Sequence, residues 1–205
     1  MSSTTVQRYV FREVREGDVE KFNATSSTSG TGGGARDIRF RSPAKFDPLF
    51  AAMFPGRKTE ARRDGAGAYT STIYHADVAV HIAHTNVSPS DSRVQQHGAD
   101  HLVIDTLEYW PPARTGRYKD ESRVGRVNKF SLNPPRNQGN VFALIYQDGT
   151  PLSPRLSFVT EAAVKNGKWE KSVNDFFADL FLRLPASGAV MGYRDVVNNR
   201  TWVNI

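Results

Sequence analysis

Five histidines, at positions 75, 81, 84, 97 and 101, are the side chains of this sequence with the most obvious capacity to hold a metal. The pairs His81 with His84 and His97 with His101 have spacings that a helix would place on one face. Yet "DVAVHIAHT" alternates like a strand, where residues three apart point to opposite sides, and no His-Glu-x-x-His pattern accompanies them. No metal is therefore expected. A nuclease needs a strand-borne Asp followed by Glu-x-Lys, and the triplet in "KWEKS" leads into a helix instead. Asp100, Asp105 and Glu108, with the nearby histidines, leave a divergent metal-dependent nuclease as one alternative reading, and a basic protein-interaction module, whose C-terminal helix docks a partner and whose arms contact an acidic protein, is another. The Gly-x-Ser-x-Gly elbow of a hydrolase is absent. "GTGGGARD" lacks the Gly-Lys-Ser/Thr ending of a phosphate-binding loop and precedes a strand. With 0 cysteines, thiolate ligands, cysteine nucleophiles and disulfides are excluded. The chain is read as a non-enzyme without cofactors.

Another kind of chemistry is better served. "ARTGRYKDESRVGRVNKF" (113–130) carries a basic residue every two to four positions, interrupted by glycines, Asp120, Glu121 and Asn128. Arginine can grip guanine through a bidentate fork, asparagine can do so for adenine, and an acid can accept from cytosine. A uniformly electrostatic patch would need no acids at its centre, although the same acids could serve to hold neighbouring arginines in position. A second basic cluster, Arg36, Arg39, Arg41, Arg57, Lys58, Arg62 and Arg63, lies upstream. If the two meet on one surface, they form the footprint of a polyanion binder, and the net charge of +6 agrees with that. The alternative is an evenly basic surface.

These segments need elements to position them. "QRYVFREVRE" and "RDIRFR" read as strands, with the Ser/Thr/Gly stretch from Thr25 between them and Pro43 closing the second. Phe46, Leu49, Phe50, Met53 and Phe54 predict a short amphipathic helix from about Asp47-Pro48 to Pro55-Gly56. "AYTSTIYHADVAVHIAHT" predicts one or two strands, and "HLVIDTLEYW" another, halted by Pro111-Pro112. "VFALIYQDGT" predicts a buried strand. In "SVNDFFADLFLRL" the stripe Val173, Phe176, Phe177, Leu180, Phe181 and Leu184 predicts a helix packed by one face, capped by Ser172 or Asn174. "YRDVVNNRTWVNI" predicts one last strand. No repeat is visible. At 205 residues, one main domain is expected. No apolar run reaches about 18 residues and no signal-peptide core opens the chain, so a cytoplasmic protein without a membrane partner is expected.

The order of these features resembles the effector-binding N-terminal domain of the restriction endonuclease EcoRII. That DNA-binding pseudobarrel is shared with plant transcription-factor domains and with the specificity domain of BfiI. The resemblance begins with "YVFREVREGDVEKFNATSSTSGTGGGARDIRFRSPAKFDPLFAAMFPG", where strand, Thr/Gly-rich loop, strand, proline and short helix follow in that domain's order. It resumes at "EYWPPARTGRYKDESRVGRVNKF" and "NQGNVFALIYQDG", so it covers about 9–149. It implies a mainly β (α+β) fold, an open barrel of the seven-stranded type with short flanking helices. Residues 1–150 would be the DNA-recognition domain, and 151–205 a C-terminal extension with a helix, packed on it. Two arms would grip the major groove of double-stranded DNA. By position, the first resembles 29–37, with Thr31, Gly33, Arg36 and Asp37 as candidate contacts. The second resembles 114–129, with Arg114, Arg117, Lys119, Arg123, Arg126, Asn128 and Lys129. Too few residues follow for the nuclease domain of EcoRII, so the resemblance implies a recognition module in restriction-modification or phage defence, beside a separately encoded nuclease or effector.

Overall fold

A computed structural model describes residues 5–15, 18, 37–63, 65–81, 102–112, 120–125, 135, 138–150, 154–186 and 188–205, with the backbone alone at 69–71, 80–81 and 102–106. In chain order the described elements are β1 (Arg8–Glu13), β2 (Ile38–Arg41), α1 (Pro43–Met53), β3 (Lys58–Arg63), β4 (Tyr69–His81), β5 (Leu102–Trp110) and β6 (Glu121–Gly125). Then come β7 (Val141–Gln147), β8 (Arg155–Thr160), α2 (Glu161–Lys165), α3 (Lys171–Leu182), β9 (Met191–Asp195) and β10 (Arg200–Asn204). The protein is mainly β, with one large mixed sheet that is not closed.

The strands run in the order β10-β9-β1-β7-β8-β4-β5-β6-β2, and β3 pairs with β4 off that path. Neighbours are antiparallel except β4 and β8, which run parallel over Ala79–Arg155 and Val80–Leu156. The central strands bury both faces, and their side chains show why. In "RYVFRE" of β1, Val10 points to one apolar cluster while Tyr9 and Phe11 point to another. In β7, Ala143 and Ile145 join the first cluster, Phe142 and Leu144 the second.

The first cluster is built around α1. Phe46, Leu49, Phe50 and Met53 are buried at spacings of three and four, so one helical face meets the sheet. Burying such side chains contributes about 1.5–3 kcal/mol each. Phe46 meets Phe40 of β2 with ring centroids 4.8 Å apart and Trp202 of β10 at 5.3 Å. One helix thus touches strands from both ends of the sheet. β2 also approaches β9, the strand next to the opposite end: the Arg41 amide donates to Met191 Sδ at 3.3 Å. The helix begins at Pro43, four residues before the start expected from the sequence. Pro43 ends the strand and also opens the helix, since proline at the first helical position sacrifices no intrahelical bond.

The second cluster lies on the opposite face. Val173, Phe177 and Leu180 of α3 are buried against Tyr9, Phe11, Phe142 and Leu144, with Phe176 and Phe181 partly buried beside them. The amphipathic stripe read from the sequence therefore packs on the sheet. Its N-cap is Glu170, in place of Ser172 or Asn174. The Glu170 carboxylate accepts from the Ser172 hydroxyl and from the Val6 amide at 2.8 Å. The terminal segment forms a hairpin, β9–β10, where one strand was expected. Asn199 turns it at φ 49°, and Asp195 accepts from Asn198 and Arg200 across the turn.

Candidate nucleic-acid interface

Asp37 and Arg123, from the two arms inferred by resemblance, are the candidate contacts within the described residues. Thr31, Gly33, Arg36, Arg114, Arg117, Lys119, Arg126, Asn128 and Lys129 lie outside them. Within the second candidate arm, 121–125 form β6, paired with β5 on one side and β2 on the other. That segment is thus threaded by a sheet strand. Alternation explains its mixed composition: Ser122 and Val124 face inward and are buried, while Glu121 and Arg123 face outward.

The register sets Arg39 of β2 directly opposite Arg123 of β6. Like charges opposite each other across a ladder repel, so this placement needs compensation. Asp37 supplies it, with Oδ1 3.3 Å from Arg39 Nε and Oδ2 3.5 Å from Arg123 Nη1. Glu121 Oε2 adds a third contact, 3.6 Å from Arg39 Nη1. The acids among the basic residues therefore hold arginines in fixed positions.

Across the other ladder, Arg123 faces Trp110 of β5. Its guanidinium carbon lies 5.3 Å from the indole centroid, and that of Arg62 on β3 lies 4.4 Å away. Two cations thus share one aromatic ring, each contact worth about 0.5–1 kcal/mol at an exposed site. Gly125 permits the arrangement, because a Cβ there would come within 2.8 Å of Trp110 Nε1. Sequence reasoning placed Arg39 and Arg62 in a basic cluster but singled out neither them nor Trp110. The missing information was the ladder register that brings positions 39, 62, 110 and 123 to one face.

β3 extends this face. All six of its residues, "KTEARR", are exposed, so it is held to β4 by backbone pairing without a buried side. Lys58, Arg62 and Arg63 make it basic, while Glu60 Oε2 lies 2.9 Å from His75 Nε2. Arg63 donates to the Gly67 carbonyl at 2.9 Å, bracing the turn, in which Gly67 takes φ 82°.

Beneath the basic face is a polar centre. Asp47 of α1 accepts at Oδ1 from the Tyr109 hydroxyl and from Ser122 Oγ, the latter at 2.7 Å. Burial pushes its carboxyl above the ordinary value, and the Ser122 hydrogen bond offsets part of the rise. Among the described residues, no group of three or more His, Asp or Glu side chains is placed to hold a metal. Of the acids considered for nuclease chemistry, Glu108 is buried, Asp100 lies outside the described residues, and for Asp105 the backbone alone is described. No described helix is long and apolar enough to cross a membrane.

No protein-family model matches the chain, and no curated protein or solved structure matches it either.

Proposed function

We propose that this chain is a sequence-specific double-stranded DNA-binding module that reads the major groove and performs no chemistry. In this reading the open, curled sheet with α1 inside is a pseudobarrel, and the segments leading into β2 and flanking β6 are its two arms. One observation carries the proposal. Asp37, itself buried and closing the first candidate arm, meets at 3.5 Å Arg123, which lies within the second and shares an outward face with Arg39, Arg62 and Trp110. Two segments remote in sequence are thereby joined at their bases, as a two-armed grip requires.

The division of labour follows from the chemistry. Basic side chains of the arms and of β3 attract phosphates, which makes affinity fall steeply with salt. Arginines held by carboxylates keep their forks oriented, and a bidentate contact to guanine contributes about 1–3 kcal/mol of discrimination. A role in restriction-modification or phage defence, beside a separately encoded nuclease or effector, fits a recognition module of this kind.

Selection from a randomised duplex library in EDTA, with a magnesium sample in parallel, tests the proposal. An enriched motif in EDTA is the expected result. Absence of enrichment, or fragmentation of the library in magnesium, would overturn it.

A further inference from the structure

A cavity of about 260 Å³ lies where the sheet fails to close, lined in part by Arg12, Arg39, Arg41, Glu121, Val190 and Met191. β2 ends the strand order, while β1 and β9 stand near its other end, so the cavity spans that gap. Arg39 and Arg41 alternate with the buried Ile38 and Phe40, which puts both on the outward face that Arg39 shares with Arg123. Arg12 reaches the cavity from β1, where it stands opposite Met191 in the ladder. Three guanidinium groups from two separate strands thus converge on one small space.

Like charges gathered in this way repel, and the protein's own acids balance them in part. Asp18 Oδ1 lies 3.2 Å from Arg12 Nη1, and Asp37 and Glu121 approach Arg39 at 3.3 Å and 3.6 Å. The ladder sets Glu121 directly opposite Arg41, yet its carboxylate meets Arg39. Arg41 is exposed and has no acidic partner among the described residues. Arg12 is mostly buried, and its Nε meets no acceptor among them. Of the described charged residues lining the cavity, Arg12, Arg39 and Arg41 are cations and Glu121 is the anion, so the balance favours a further anion. A guanidinium fork suits carboxylate and phosphate alike, but one fork fills a carboxylate. The tetrahedral oxygens of a phosphate accept from several forks at once. The volume falls below the roughly 300–1,000 Å³ of drug-sized ligand sites, which suits a small anion.

We infer that this cavity is a seat for one phosphate group, held by Arg12 of β1 and by Arg39 and Arg41 of β2 across the opening of the sheet. The group belongs either to a free phosphate or phosphomonoester or to the backbone of bound DNA, and the chemistry that holds it is the same. The inference goes beyond the DNA-binding reading and does not depend on it. β1 and β2 are not neighbours in the sheet, so an anion bridging them ties the two ends together, and its binding to the folded state stabilises that state by mass action.

Calorimetric titration of the full chain with inorganic phosphate, at an ionic strength held constant with chloride, tests this directly. Phosphate should bind saturably at one site and raise the melting temperature, whereas acetate at the same ionic strength should do neither. Arg41→Gln alters an exposed side chain, so it should fold as the native protein does while binding phosphate about tenfold more weakly. Arg41→Lys, which keeps the charge and loses the fork, should recover part of that loss. Lys168→Gln, exposed and outside the cavity, should bind phosphate as the native protein does. No saturable uptake, equal uptake of acetate, or equal losses in Arg41→Gln and Lys168→Gln would overturn the inference. Anisotropy of an end-labelled duplex then separates the two sources. Duplex affinity lower in phosphate than in chloride of equal ionic strength, with the difference absent from Arg41→Gln, would assign the seat to a backbone phosphate. Duplex affinity indifferent to phosphate would assign it to a free phosphate or phosphomonoester. Saturable phosphate binding without binding of any duplex would overturn the DNA-binding reading and leave the seat standing.

Discussion

Arg123 is where the proposed function is most exposed to test, since it pairs with Asp37, faces Trp110 and stands opposite Arg39. Arg123→Ala should cost about 1–3 kcal/mol of binding to a selected site and much less on unrelated duplex, measured by anisotropy at one salt concentration. Equal losses on both would make it a phosphate contact. A second test concerns stability. Asp195 is fully buried and pairs with Arg8 Nε at 3.3 Å and with Arg200 Nη2 at 2.9 Å. Burial alone raises its carboxyl, but hydrogen bonds from Asn198 and Arg200 and the charge of Arg8 outweigh that and hold it below its ordinary value. A carboxyl lowered in the folded state contributes stability above its unfolded value of about 3.9, and that contribution is lost as pH falls through the folded value. Asp195→Asn should therefore lose about 3 kcal/mol at neutral pH, because it strands the mostly buried Arg8. Denaturant titrations repeated at descending pH should show the gap between variant and native protein closing below about pH 4.

Among the elements, β3 and α3 illustrate opposite ways of holding a segment in place. α3 is held by apolar contact: Phe177 is fully buried, with its ring centroid 5.3 Å from both Phe11 and Phe142. Phe177→Ala should cost about 3–5 kcal/mol and lower the thermal midpoint, with any loss of DNA affinity explained by the unfolded fraction. β3 is held by ladder pairing and by surface contacts such as Arg62 over Trp110 and Glu60 beside His75, and its exposed cations contribute little to stability. Reversing Lys58 and Arg63 together to Glu should leave the melting temperature within a few degrees. The slope of log affinity against log salt should become shallower by about two if both residues meet phosphates. An unchanged slope would remove β3 from the interface.

In the whole molecule, the last quarter of the chain belongs to the sheet that carries the candidate interface. β8 lies between β7 and β4, and β9–β10 continue the sheet from β1. β8 also sends Leu156 and Phe158 into the cluster around α1 and Val159 into the cluster under α3. Ending the chain after residue 150 would strip β7 of a neighbour and uncover both apolar faces. Such a truncated chain should unfold without a cooperative transition in circular dichroism. A cooperative melt near that of the full chain would instead make 1–150 self-sufficient.

Much of this architecture was legible because its strands and helices carry their own periodicity. β1, β5, β7 and α3 each present apolar side chains at the spacing of their secondary structure, and the structure places each where that pattern predicts. β3 and β6 were not read as strands, since a charged segment such as "KTEARR" has no apolar alternation to reveal it. Their pairing with β4, and with β5 and β2, is what makes them strands. β8 was missed as well, although its alternation of half-buried and buried residues is present in "RLSFVT". For the interface, residue types alone indicated a basic, arginine-rich surface. Which arginines share that surface depends on register, and a shift of one residue would have turned Arg39 and Arg123 inward. The sequence by itself thus determined the local periodicities, the excess of positive charge and the absence of thiol chemistry. The tertiary structure alone decided which distant residues meet, because strand pairing and the curl of the sheet around α1 are non-local.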